Sequence, residues 1–217
     1  MPTLARPPDR CATGDPSTAR ASSRRSQSER KAETRARLLG AAASLFAEQG
    51  IDAVSVDAVA GAAGRTSGAV YAHFGSKQGL LLGLLDEWRH ALVEVVAAAL
   101  ERASSLEGRL RAVAENVIVD PDESTRRLMA LERELWRMAR RDGQIASAMR
   151  ARASDAHIRM TRGFADYRDA GLIQSATDPE TMAVAFRAMV VGLEMAQRTD
   201  PVLDVDRAAA ALALVVA

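Results

Sequence analysis

From residue 32 onward the apolar positions recur every three or four residues and almost nowhere alternate, which predicts helix after helix and no sheet. Leu38, Ala42, Leu45, Phe46 and Gln49 share one face of a first helix of about five turns, starting near Ala32 and stopped by Gly50. Ser55 is a good N-cap for a short second helix with Val56, Val59, Ala60 and Ala63 inward and Gly64 at its end. Thr66 caps a third, with Ala69, Val70 and Phe74 on its buried side and Gly75 closing it. Two short helices hinged at a glycine and braced by a longer one form the pattern of a helix-turn-helix.

Ser76 then caps a long helix reaching about Ala103, its stripe made of Leu81, Leu85, Trp88, Leu92, Val95 and Ala99. Further helices are predicted over Leu106–Val119, over Glu123–Arg141 with Leu128, Leu131, Leu135 and Met138 inward, and from Gly143 to Asp169. The last of these carries Ile145, Met149, Ala153, Ala156, Met160, Phe164 and Tyr167. Asp178 followed by Pro179 opens a helix to about Gln197. A final helix begins near Leu203.

Those last two helices are apolar nearly all round. In the first, one stripe is Met182, Phe186, Met189 and Leu193, and a second is Val184, Ala188, Val191 and Met195; the other helix adds Leu212 and Leu214. A helix apolar on every side must be buried on every side. Either one face packs on its own domain and the other on a second copy across a two-fold axis, or both helices are the central core of a monomer. The first alternative makes these ten residues the candidate dimer interface.

Composition narrows the function classes. The chain is 48% hydrophobic but only 4% aromatic, which favours helix over sheet. Cys11 is the single cysteine, so neither an internal disulfide nor a multi-thiolate metal site can form. No apolar run approaches the roughly 20 residues that span a bilayer, and the leader lacks the apolar core of a secretory signal. A soluble cytoplasmic protein without a membrane partner is expected. Residues 1–30, rich in Pro, Ser, Arg and Thr, read as a disordered basic leader. Its run Arg20, Arg24, Arg25, Arg30 and Lys31 is either a solvated tail or an arm that reaches phosphates or a minor groove. Glu87 and His90 form one Glu-x-x-His pair, the unit that helical metal enzymes use twice. With three histidines in all and no second such pair, no catalytic residue, metal or cofactor is expected.

The stretch AAGRTSGAVYAHFGSK, residues 62–77, carries the candidate chemistry. Gly68 lies inside a helix of barely two turns, where it costs about 1 kcal/mol relative to alanine. With Ala69 it leaves the outer side of that helix bare, as close approach by another surface would require. Lys77, one of two lysines, stands at a helix start beside unpaired amides and the positive end of the macrodipole. A cation there is mildly unfavourable unless an anion joins it, which points to phosphate. Thr66, Ser67 and Tyr71 add hydroxyls of the kind that bond to nucleic-acid backbones. A helical scaffold or adaptor that binds no DNA is the rival, and it gives these residues nothing to do.

The run from Ser55 to Leu85, SVDAVAGAAGRTSGAVYAHFGSKQGLLLGLL, resembles the DNA-binding domain of the TetR family of bacterial transcriptional regulators, and the likeness extends over about residues 33–86. It implies an all-α fold: a helix-turn-helix DNA-binding domain, residues 31–78, and a helical ligand-binding and dimerisation bundle, residues 79–217. It implies that Thr66, Ser67, Gly68 and Ala69 lie nearest the bases, that Tyr71, His73 and Lys77 contact the backbone, and that Ser55 touches phosphate. Where the family usually has an aliphatic residue after the turn glycine, this chain has Arg65, which must turn outward because unpaired burial would cost several kcal/mol. The resemblance further implies a homodimer on double-stranded operator DNA, commonly a repressor, released by a small apolar effector. Trp88, Leu92, Met129, Trp136, Met149, His157, Met160 and Phe164 are the candidate lining of the effector pocket.

Overall fold

Short polar side chains start most of the helices by accepting a bond from an amide that the helix itself leaves free. Ser55 accepts from the Ala58 amide at 3.1 Å, Ser76 from Gly79 at 3.0 Å and Ser105 from Gly108 at 3.1 Å. Asp122, Asp142, Asp178 and Asp204 do the same with carboxylates. The amide bonds from Thr125 and Thr181 hold the Asp122 and Asp178 carboxyls below the usual carboxylate range. Among the described residues of this computed structural model, which are 16–199 and 202–216, nine α-helices form and no strand. They are α1 (Pro16–Gln49), α2 (Val56–Ala62), α3 (Ser67–Phe74), α4 (Lys77–Arg102), α5 (Leu106–Val113), α6 (Glu123–Ala139), α7 (Gly143–Asp169), α8 (Pro179–Gln197) and α9 (Val205–Ala213).

The first helix departs from expectation. It begins at Pro16 rather than near Ala32, so residues 16–30, expected to be disordered, are helical; residues 1–15 of the leader lie outside the described residues. The leader has no apolar face, and that absence was the basis for expecting disorder. Arginine, alanine, glutamine and glutamate, all good helix formers, nevertheless supply about half of residues 16–30 beside the serines. Joined to an already nucleated helix, such residues only have to propagate it. Arg37 adds an i,i+4 bond to Glu33 at 2.7 Å.

The chain divides into two compact units at His73/Phe74, earlier than the expected boundary after residue 78. The whole of α4 belongs to the second unit because its neighbours are α5 and α6. In the first unit Leu38, Leu39 and Ala42 of α1, Val54, Val59 and Ala60 around α2, and Val70 of α3 are buried.

The second unit has an inner cluster and an adjoining stack. Leu110, Ala114, Ile118, Phe164, Ile173, Met182, Ala183, Phe186 and Leu212 make the cluster, with Phe164 and Phe186 edge to face at 5.4 Å between centroids. In the stack α6 packs on α4 and α7 through Leu128, Leu131 and Leu135. A two-pronged bond from Arg152 to Asp86, 2.6 Å at each prong, clamps α7 to α4. On α4, Val95 is exposed rather than inward, although Ala99, one turn further along the expected stripe, is buried.

The span predicted as one helix from Leu106 to Val119 is continuous, yet Ala114–Val119 winds as π-helix. Asn116 Nδ2 donates to the Ala112 carbonyl at 2.8 Å, competing for the acceptor its own amide would use in an α-helix. The Asp120 amide accordingly reaches back five residues to Glu115.

Candidate functional site

The third helix is eight residues long and needs help to hold its shape. Gly64 and Gly75, with φ of 62° and 74°, bound it with backbone conformations that a side chain would strain. The Ser67 hydroxyl donates to the Asp57 carboxylate in the first turn of α2, joining the two short helices. Sequence reasoning did not pair these two; an acidic residue in the first turn of α2, ten positions before a serine at the start of α3, was the available signal. Val70 is wholly buried and anchors α3 from behind.

The outward side is unencumbered. Thr66 is exposed, and its hydroxyl has no partner among the described residues. Gly68 is exposed, and a Cβ added there would meet only the Thr66 hydroxyl at 3.7 Å, an ordinary contact. Nothing inside the protein therefore requires glycine at 68. Ala69 is half-buried, and Tyr71 is 53% exposed, unusual for an aromatic on a short helix. Arg65 faces solvent with its guanidinium on the Gly64 carbonyl at 3.2 Å and no carboxylate near it, the outward placement that its charge demands. Ser55 is exposed and also spends its side chain on the α2 cap.

His73 is held below its ordinary pKa by burial, then by the charges of Lys31 and Arg35. Those two cations sit four residues apart on α1 and bring positive potential to the end of α3. Lys31 was grouped with the leader, and its i,i+4 relation to Arg35 was the signal passed over. In the second unit, half-buried Lys77 opens α4 beside the amides that Ser76 caps. A Cβ at Gly79 would collide with the Phe74 carbonyl, so this first turn of α4 admits no larger residue.

A cleft of about 660 Å³ opens among α4, α6, α7 and α8. It brings together Leu92, Met129, Trp136 and Met160 from the expected pocket lining. The other four expected residues are elsewhere. Met149 and Phe164 are consumed by the core, Trp88 is half-buried outside the cleft, and His157 places its Nε2 3.9 Å from Glu180. Helical spacing alone could not separate a core stripe from a cleft stripe on the same helix.

The expected dimer surface also divides. Met182, Phe186 and Leu212 are sealed in the chain's own core, a correction, and Met189 and Leu193 pack against it. Val184, Val191 and Met195 are 51%, 58% and 54% exposed, with Ala188 between them, and Leu214 is 76% exposed. His90 pairs with Glu94 at 3.2 Å rather than with Glu87, and no cluster of metal-ligating side chains exists among the described residues. No helix among them is long and apolar enough to cross a membrane.

Comparison with known proteins agrees with this geometry. The model of the tetR family of bacterial regulatory proteins matches residues 38–84, and that of the C-terminal part of BetI-type transcriptional repressors matches residues 106–217. The transcriptional repressor KstR2 of Rhodococcus jostii is 42% identical over 81 residues, 36% of this chain and 40% of its own length. A Pseudomonas putida protein, the transcriptional regulator ArpR, is 30% identical over 169 residues, 76% of this chain and 80% of its own. Among solved structures, a Rhodococcus protein assigned to the TetR-family regulators superposes with a TM-score of 0.70 at 22% identity, over 86% of this chain and 100% of that one. A complex of SmeT with triclosan superposes at 0.63 and 24% identity, over 84% and 89%.

Gly68→Ala separates stability from recognition. Replacing a first-turn glycine that has room for a methyl should stabilise the chain by about 0.4–1 kcal/mol, chiefly by restricting the unfolded chain. DNA affinity should fall at least about tenfold, since the methyl stands where a close surface would lie. Thermal melting and fluorescence anisotropy should move in these opposite directions.

Proposed function

This chain belongs to the TetR family of bacterial DNA-binding transcriptional regulators, which are not enzymes, and on that premise we propose that it is a homodimeric repressor released from its operator by a small molecule. The observation that carries the DNA-binding part is the outward surface of α3, where Thr66, Gly68 and Tyr71 are exposed and do nothing for the fold. A bare glycine lets the helix approach base edges, Thr66 and Arg65 supply donors, and Tyr71, His73 and Lys77 are suited to phosphates. Ser67 contributes mainly by holding α3 to Asp57. The repressor sense rests on the C-terminal likeness to BetI-type repressors.

Dimerisation rests on α8. Its two apolar stripes have separated, one into the core and one, Val184, Ala188, Val191 and Met195, into solvent. An apolar stripe of this length is self-complementary across a two-fold axis. Two copies of α3 would then meet successive major grooves about 34 Å apart on a near-palindromic site. The cleft among α4, α6, α7 and α8 is the effector site in this reading, and SmeT's complex with triclosan gives a structurally similar protein that holds a small molecule.

Anisotropy against the DNA flanking the chain's own gene, beside a scrambled duplex and across a salt series, tests the central claim. Selective binding is expected, and Lys77→Ala should reduce the salt slope by about one unit through the loss of one phosphate contact. Equal affinity for both duplexes would leave the scaffold alternative standing.

His73 gives a signed pH dependence. A phosphate beside the imidazole would favour its charged form and raise that depressed pKa, so protons are taken up on binding and affinity should rise as pH falls toward the ordinary histidine range. The free protein should show the opposite trend: the unfolded imidazole binds protons more readily, so this group's contribution to stability is lost as pH falls through 6.5. His73→Asn should flatten both curves.

Replacing Val184 and Met195 together by glutamate would bury charge in the dimer face. Light scattering should then report the 23.2 kDa monomer in place of twice that mass, with the helical circular dichroism retained.

A further inference from the structure

The cleft among α4, α6, α7 and α8 has a chemistry more specific than an apolar pocket. Leu92, Met129, Trp136, Met160 and Val191 give it apolar walls. Four arginines and two glutamates line it as well, so the lining carries an excess of positive charge. Two of the arginines are already matched, Arg89 to Glu132 at 2.8 Å and Arg133 to Glu194 at 2.7 Å. The other two, Arg159 on α7 and Arg187 on α8, have no hydrogen-bond or ion-pair partner among the described residues. Glu194 accepts from Arg133 and Arg198 on a single oxygen, Oε1, and makes no bond to Arg159 or Arg187.

We infer that this cleft takes an organic anion with an apolar body, a carboxylate being the head group that its two unmatched guanidiniums fit best. A guanidinium presents its donors in a planar fork that matches the two oxygens of a carboxylate, and a carboxylate between two such forks gains charge-assisted bonds from both. The apolar body would cover the exposed ring of Trp136 and the side chains of Met129 and Met160, removing their surface from water. A cation with the same body is disfavoured by the net charge of the rim. An uncharged molecule loses the arginine contribution altogether. The effector expected from sequence was simply apolar; the two unmatched arginines make it amphipathic and anionic.

This inference rests on the reading of the cleft as the effector site, and the test keeps the two apart by measuring ligand binding and DNA release separately. Decanoate, decanol and decyltrimethylammonium are titrated calorimetrically, each below its aggregation concentration, into full-length wild-type protein and into the Arg159→Gln/Arg187→Gln double variant. Both substitutions are at exposed helix positions and keep helix propensity, and thermal melting confirms that the variant is folded. The expected result is that wild type binds decanoate at least about tenfold more tightly than decanol, and decyltrimethylammonium more weakly still. In the double variant the decanoate preference should vanish while decanol binding is unchanged. The same ligands are then added to the protein–operator complex followed by anisotropy. Decanoate that binds through the two arginines but leaves the DNA bound upholds the anion site and removes the effector reading. Release by decanol or decyltrimethylammonium without a decanoate preference upholds an effector site and overturns the anion site. No decanoate binding, or binding that the double substitution leaves unchanged, also overturns it.

Discussion

The surface that α3 displays depends on Val70. An eight-residue helix has too few internal bonds to persist alone, and α3 must keep its outward side empty of anything that would brace it. The solution is one completely buried side chain behind, glycine-bounded ends at Gly64 and Gly75, and a hydroxyl–carboxylate bond to α2 beside it. Tyr71, the very next residue after Val70, is more than half exposed. Anchoring and display are thus divided between adjacent positions, and Gly68 gives up helix stability to keep the displayed side low.

The parts of this fold that were legible in sequence are those written in local chemistry. Ser55, Ser76 and Asp178 marked three helix starts, and Gly50, Gly64 and Gly75 marked helix ends, because each acts on residues within one turn of itself. Arg65 was legible for a different reason: a charge without a partner has one acceptable environment. The start of α1 was not legible, because a polar segment with good helix propensity is equally consistent with disorder until it is known to continue an existing helix. Nor was the π-helical stretch at Ala114–Val119, since a single side-chain bond from Asn116 decides it.

Where tertiary packing decides, sequence carried only half the answer. Periodicity on α8 correctly separated two stripes but could not say which one the chain would keep for itself; Phe164 of α7, edge-on to Phe186, settles that in favour of the Met182 stripe. The same limit split the expected pocket lining. Met149 and Met160 lie on one helix at similar spacing, and only the position of α6 and α8 determines that the first is core and the second lines a cleft. Ion pairs between distant elements, such as Arg152 with Asp86, leave no periodic trace at all.

The rim of the cleft indicates how a ligand there could do work. Arg89–Glu132 ties α4 to α6, and Arg133–Glu194 ties α6 to α8, so two ion pairs set the resting spacing of three helices. Partly exposed pairs of this kind contribute about 0–1 kcal/mol each, little enough for a bound anion to compete with the glutamates for their arginines. A ligand shifts an equilibrium only by the difference in its affinity for the two states. Here that difference has an identifiable source: the distance between Arg159 on α7 and Arg187 on α8 decides whether one carboxylate can engage both. Drawing those arginines together would move α8, whose Val191 belongs both to the cleft and to the exposed stripe, and would strain the pairs that hold α4.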